Sequence, residues 1–221
     1  MKSIHFIFFF ISVLLGLTVF GKLSDEQKIK LDSIVNIIEK NESDTSVAKA
    51  YLDLTEILYL TNFDTVIVLC EKSIEISQNN LKEEISDKEK LSFKMTLAGA
   101  YNNIGYIYDD QGKVVKALDY YHKSLRIRED IKDDNGVAES LNNIGVIYVN
   151  QGEWDFALDY YLKSLAIKEP IGDKKSVATS LNNIAAVYRK QGNNPSAILY
   201  YKRSLEIREE LGDKRGIAIS L

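Results

Sequence analysis

The sequence predicts an all-α chain, a solenoid of antiparallel helix pairs. Three observations predict it. A 40-residue block recurs: residues 100–139, 140–179 and 180–219 align without gaps, with 22 identities in 40 between the first two and 19 in 40 between the last two. Unrelated sequences would give roughly 2 or 3. Each block carries two apolar stripes at helical spacing. Finally, 2 prolines and 12 glycines in 221 residues are too few for a turn-rich β chain. A unit that cannot bury its apolar face alone must bury it on its neighbours, which makes a curved, elongated stack.

From the N-terminus, residues 1–21 read as Lys2 followed by an almost unbroken apolar run, Ile4 to Phe20. A basic start, an apolar centre and a slim end at Val19-Phe20-Gly21 describe a secretory signal peptide. The run is short for a spanning helix, which needs about 20 apolar residues; an uncleaved N-terminal anchor is the alternative. Ser24-Asp25-Glu26-Gln27 is a capping-box pattern. It opens a helix carrying Leu31, Ile34, Val35 and Ile38, an N-terminal capping helix within residues 22–46. Residues 47–90 hold a degenerate repeat and a linker. Ala50, Leu54, Leu58, Val66, Leu69 and Ile74 follow the frame of the clear blocks, with a turn one residue shorter and no Gln-Gly break. A polar stretch, 78–90, joins it to the three clear repeats within residues 91–221.

Each clear repeat reads as two helices. In the first, Tyr101, Ile104, Ile107 and Tyr108 share one face, while Asn102, Tyr106, Asp109 and Asp110 lie opposite. Gln111-Gly112 ends that helix, since glycine supplies the C-terminal turn. The second helix carries Val114, Ala117, Leu118, Tyr121 and Leu125. In the third repeat Asn194-Pro195 supports the start of the second helix, and Gly172-Asp173 and Gly212-Asp213 mark the turns between repeats. Small residues recur where paired helices cross: Gly105, Gly145 and Ala185 in one row, Ala117, Ala157 and Ala197 in another. Residues 218–221 repeat 138–141 and stop before the next Asn-Asn-Ile. The chain therefore enters a further repeat, and the expectation is a fragment of a longer protein.

Composition excludes much chemistry. A net charge of −4 argues against nucleic acid as partner, which wants a basic face. One cysteine, Cys70, excludes a disulfide framework and a Cys-cluster metal site; it falls on an apolar helix side as a small hydrophobe. Two histidines, His5 and His122, leave little for a metal site or a proton relay. No Gly-rich phosphate loop occurs, and acid pairs such as Asp109-Asp110, Asp133-Asp134 and Glu209-Glu210 fall at helix ends as solvated surface. Asn41-Glu42-Ser43 fits a glycosylation acceptor by pattern alone. No catalytic residue, cofactor or metal is expected.

The frame Leu141, Ile144-Gly145, Tyr148, Gly152, Ala157, Tyr161, Ser164-Leu165 resembles the tetratricopeptide repeat. Tyr101, Leu141 and Leu181 stand where that family usually has tryptophan, and Ser124, Ser164 and Ser204 where it has a small residue. The usual repeat has 34 residues; this 40-residue period with its Gly-Asp-Lys turn resembles the longer variety of kinesin light chains and many bacterial sensor proteins. The resemblance covers residues 100–221. It implies an all-α, right-handed superhelical solenoid of antiparallel helix pairs, whose first helices line a concave groove where a peptide or protein segment binds. On the face opposite the core lie Asn102, Asn142 and Asn182, one per repeat. Each Asn offers two donors and two acceptor lone pairs, enough to hold an extended backbone without regard to its side chains. Around them, Tyr106, Val146 and Ala186, then Asp109, Val149 and Arg189, differ between repeats as specificity positions would. The competing account is repeat inheritance with solvated asparagines. Asn103, Asn143 and Asn183 are read as structural.

The expected function is an exported scaffold or receptor module, periplasmic or secreted, or membrane-associated if the N-terminal segment stays attached. The alternative is the periplasmic sensor part of a longer membrane signalling protein, a histidine kinase, a nucleotide cyclase or a DNA-binding regulator, linked to the membrane through sequence beyond Leu221.

Overall fold

The computed structural model describes residues 23–41, 43–59 and 63–220. The predicted signal peptide and Glu42 of the glycosylation triplet lie outside these residues. Among the described residues the elements are helices: α1 (Asp25–Lys40), α2 (Asp44–Leu58), α3 (Phe63–Asn80), α4 (Asp87–Asp110), α5 (Val114–Asp130), α6 (Asp134–Gln151), α7 (Trp154–Ile171), α8 (Lys174–Lys190), α9 (Asn194–Glu210) and α10 (Lys214–Ser220). They form two compact units divided between Gln111 and Gly112.

The first unit holds α1 to α4. Ser24 caps α1 with a reciprocal capping box to Gln27, as its sequence predicts. The polar stretch before the clear repeats is not one linker. Helix α3 runs on to Asn80, and Ser86 opens α4 with a second capping box to Glu89. Ser-x-x-Glu satisfies two otherwise orphaned backbone donors, so α4 begins more than three turns before the Asn-Asn-Ile motif. Phe93 of that added stretch is buried, as are Leu97, 40 residues before Val137, and Leu54 and Val66 of the preceding pair. Cys70 is buried and reduced. Burial pushes its thiol up to about 12, so it is a packing residue.

The second unit holds α5 to α10. Its core joins Ala157, Leu158, Tyr161 and Leu165 of α7 to Val177, Leu181, Ile184 and Val187 of α8. Gly145 of α6 shows why small residues recur at the crossings: a methyl group there would sit 2.6 Å from the Tyr161 ring. In the next pair Ala185 holds the register and is buried, and its partner position Tyr201 is less buried than Tyr161. Asn193, not Asn194, caps α9, and Pro195 sits within the first turn. Both residue types suit a helix start, so the sequence alone misses the cap by one residue.

Within the pairs one hydrogen bond repeats. Ser164 Oγ donates to the Ala138 carbonyl at 2.6 Å, and Ser204 Oγ to the Ala178 carbonyl at 2.8 Å. In the first unit Ser73 Oγ donates to the Ala48 carbonyl at 2.8 Å. Each bond is buried and ties the second helix to the first turns of its partner.

A second device closes the turn between repeats. Arg128, Lys168 and Arg208 stand 40 residues apart, each in the last turns of a second helix. Arg128 Nη1 donates to the Gly136 carbonyl at 2.6 Å, to Glu139 at 2.9 Å and to Ser140 Oγ at 3.2 Å. The Asp133 carboxylate and the Arg128 side chain together fill the space a side chain at residue 136 would need: a Cβ on Gly136 would meet Asp133 Oδ2 first and would lie 2.7 Å from Arg128 Cδ. Arg208 crowds Gly216 in the same way and bonds Asp213 at 3.3 Å. The middle turn differs at both positions. Ser176 stands where the others have glycine, and the cation is Lys168, with one bond to Ser180 Oγ at 3.0 Å. Burial depresses the Lys168 ammonium, with Asp173 and Glu139 opposing. The wide fork of arginine needs a neighbour without Cβ, whereas the slim ammonium tolerates one. The turn chemistry also varies: Gly172 and Gly212 take left-handed φ of 82° and 65°, while the first turn forces Lys132 to 56°, a conformation costly to residues with a Cβ.

Lys168→Arg alone is expected to destabilise the chain by about 1–3 kcal/mol through overpacking against Ser176. Adding Ser176→Gly is expected to recover that loss, giving a coupling of about 1 kcal/mol or more in favour of the Arg–Gly pair. A double-mutant cycle by urea unfolding measures it, and additive effects would contradict the size match.

Candidate binding surface

The predicted surface residues fall into both units. In the first, α4 carries Asn102, Tyr106 and Asp109. In the second, α6 carries Asn142, Val146 and Val149, and α8 carries Asn182, Ala186 and Arg189. The three asparagines are half-buried, Tyr106 and Arg189 are exposed, and Val146 and Asp109 are half-buried.

The surface is more engaged than the sequence indicates. Asn183 Nδ2 donates to Asn142 Oδ1 at 3.2 Å. One asparagine of the row read as structural thus uses an acceptor of the row read as binding. In the first unit Asn103 Nδ2 donates to Thr55 Oγ1 at 2.9 Å, so this row ties first helices together in both units. Tyr106 packs edge-on against Tyr59, ring centroids 5.0 Å apart. Val146 and Val149 lean on the core of the second unit, so each offers only part of its side chain.

Aromatic stacks stand beside the surface. Tyr148 stacks on Phe156 and Tyr160 at 5.3 and 5.4 Å, and Tyr188 on Tyr200 at 5.5 Å. Lys163 and Arg203 lie over the outer tyrosines at 5.6 and 6.0 Å. These contacts engage Tyr160 and Tyr200, while the adjacent Tyr161 is buried against Gly145.

Sequence reasoning missed a polar cleft of about 440 Å³ in the second unit, lined by Arg128, Glu139, Asn142, Lys168, Asp173 and Ser176 among others. Asp173 is held below its usual range by the Ser176 hydroxyl and backbone N–H, as a helix cap. The 40-residue spacing of Arg128 and Lys168 was the available signal for this cleft. Among the described residues no group of three or more His, Cys, Asp or Glu is arranged to hold a metal ion. Among them, too, no helix is long and apolar enough to cross a membrane. His122 is half-buried on α5.

Comparison with known proteins adds the following. A family model described as tetratricopeptide repeat matches residues 96–169 and 137–210, together more than half of the chain. No curated protein sequence matches. Among solved structures, BtubC from P. vanneervenii superposes with a TM-score of 0.67 at 18% identity, over 84% of this chain and 72% of that one. Aspartyl phosphate phosphatase F from Bacillus subtilis gives 0.71 at 16% identity, over 88% of this chain and 52% of that one. A Rap protein complexed with Competence and Sporulation Factor gives 0.65 at 18% identity, over 88% and 53%. The chain thus spans about half the length of the latter two proteins. At these identities the likeness is one of fold.

Asp109 supplies a test of local electrostatics. Burial, and then the neighbouring Asp110, hold its carboxyl above the usual aspartate range. A raised folded pKa means that the fold favours the protonated form, and that stability is lost as pH rises through it. Asp109→Asn is therefore expected to raise the melting temperature at neutral pH. The gain should vanish below the ordinary aspartate pKa of about 3.9, and a gain unchanged by acid would contradict this cause.

Proposed function

Because the chain belongs to the tetratricopeptide repeat family, we propose that it is a non-catalytic scaffold that binds an extended peptide or protein segment across the exposed face of its first helices. The observation that carries this reading is a division of labour between α6 and α8. Their packing positions hold like residues: Leu141 and Leu181, Ile144 and Ile184, Tyr148 and Tyr188. On the opposite stripe Asn142 and Asn182 stay constant while Asn135 becomes Lys175, Val146 becomes Ala186 and Val149 becomes Arg189. A constant amide beside variable neighbours suits a ligand held by its backbone and selected by its side chains. The Rap protein solved with Competence and Sporulation Factor supports a role in binding for this fold, which by itself fixes no function.

Export forms part of the proposal, resting on the basic and apolar pattern of residues 1–21. A reporter enzyme fused after residue 21 is expected to be active outside the cytoplasm, and retention inside would remove this half of the reading. A second reading, the sensing part of a longer signalling protein, is favoured by one solved likeness. A signal transduction ATPase from Pyrococcus horikoshii with a tetratricopeptide repeat sensor matches at a TM-score of 0.69 and 16% identity, over 92% of this chain and 32% of that one.

The test uses a peptide selected against the full chain from a random display library. Asn142→Ala with Asn182→Ala is expected to weaken its binding about tenfold, equivalent to about 1.4 kcal/mol. Asn142 also accepts from Asn183, so the double variant loses a structural bond as well, worth about 0.5–1.5 kcal/mol. Asn183→Ala removes that same bond and leaves Asn142 and Asn182 in place. It is expected to lose only the stability of that one bond and to retain affinity; equal affinity in all three chains would overturn the role of the asparagines.

A further inference from the structure

The charge on α8 sets it apart from its neighbour. Helix α8 carries Lys174, Lys175, Arg189 and Lys190 and no acidic residue. Helix α6, one repeat earlier, carries Asp134 and Glu139 and no basic residue. The whole chain is net −4, so this concentration of positive charge runs against the average. At 100° per residue Lys175, Asn182, Ala186 and Arg189 fall within about 60° of one another, on the stripe that holds the constant asparagine, with Lys190 at its border. Lys175, Arg189 and Lys190 are exposed, and among the described residues none of the three makes an ion pair. Lys174 pairs with Glu210 at 2.7 Å on the far side. At the same register on α10 stands another exposed cation, Arg215.

Helix stability does not call for this pattern. Arg189 and Lys190 suit a helix C-terminus, but Lys174 and Lys175 occupy the first turn, where the positive end of the helix dipole disfavours cations. The acids facing the stripe from α6 are already occupied or distant in role. Glu139 accepts from the buried Arg128, and Asp134 lies in the first turn of α6, where a carboxylate suits the dipole. Lys175 and Arg189 each lie seven residues from Asn182, about 10 Å along the axis. A segment crossing α8 at Asn182 therefore passes between two unpaired cations.

We propose that the partner of this surface is an acidic protein segment, held by its backbone at Asn182 and flanked by carboxylates that pair with Lys175 on one side and with Arg189 and Lys190 on the other. This rests on the peptide-binding reading above and narrows it to one class of partner. Charge complementarity of this kind acts mainly on association rate and on the choice among partners, and it weakens as salt shortens the Debye length from about 10 Å at 0.1 M.

The experiment uses the full chain and four fluorescein-labelled probes of about twelve units: alternating Glu-Ala, Lys-Ala and Ser-Ala peptides and an oligothymidylate. Fluorescence anisotropy is expected to show the Glu-Ala peptide binding at least about tenfold more tightly than the others, with affinity falling as salt rises. Lys175→Glu with Arg189→Glu and Lys190→Glu is expected to abolish that preference or invert it towards Lys-Ala. Lys202→Glu, an exposed site on α9 away from the stripe, is expected to leave it unchanged. Arg189→Glu alone, expected to weaken Glu-Ala binding about threefold, serves if the triple variant does not fold. Glu-Ala binding that equals Lys-Ala binding, that survives the triple substitution, or that is matched by the oligothymidylate would overturn the proposal. If all three peptides bind equally and that binding is lost with Asn142→Ala and Asn182→Ala, the acidic partner falls and the peptide-binding face stands. If no peptide binds at all, both fall.

Discussion

Everything in this chain depends on how closely two helices of a pair can approach. A helix of 15 to 18 residues such as α2 or α6 is marginal alone in water, and its stability comes from burying one face on a neighbour. Close approach requires a hole on one side and a filler on the other. Gly145 is such a hole and the Tyr161 ring its filler. Once the backbones are that near, the Ser164 hydroxyl reaches the Ala138 carbonyl 26 residues upstream. Ser204 reaches Ala178 over the same 26 residues, and Ser73 reaches Ala48 over 25. The bond is kept although the sequence between its ends differs by one residue. Geometry at the crossing is what the sequence holds fixed.

The period and the small-residue rows made the helix pairs legible, because packing that recurs leaves residues that recur. The Ser24 capping box was legible for a similar reason: its two bonds are local and need no knowledge of the rest of the chain. The first half of α4 was not. Residues 81–90 are polar and read as a connector, yet the box at Ser86 sits inside them and starts a helix whose Phe93 and Leu97 are buried by residues far away in sequence. Tertiary burial decides such a stretch: Leu97 stands 40 residues before Val137, whereas Phe93 stands where the next repeat has Asp133. The surface was legible as a set of positions and not as a set of contacts. The 41-residue reach from Asn183 to Asn142 crosses one repeat plus one residue, a step that an in-register alignment conceals. The same holds for Arg128 and Gly136: each is ordinary alone, and only their contact explains why the turn with Ser176 carries a lysine.

These contacts separate two kinds of position. Inside the turns and crossings a substitution must be answered by its neighbour, since volume is conserved in a packed interior. Arg with Gly and Lys with Ser are two answers to one constraint. On the outward stripe of the first helices no such answer is required. Exposed charges there interact weakly with the fold, and surface ion pairs contribute about 0–1 kcal/mol. The stripe can change from amide and valine on α6 to cations and alanine on α8 while Leu181, Ile184 and Val187 remain buried beneath it.

That freedom has a thermodynamic consequence. A face whose exposed positions are loosely tied to the fold can be retuned at those positions without melting the scaffold, but affinity on it must then come from several modest contacts, since none is deeply buried. Half-buried asparagines and exposed cations each contribute about a kcal/mol or so, and micromolar binding needs about 8 kcal/mol. No single pair of helices supplies that. On the proposed binding face α6 and α8 would each lend an amide to the backbone and a variable side chain to selection, so that like contributions add along an extended ligand.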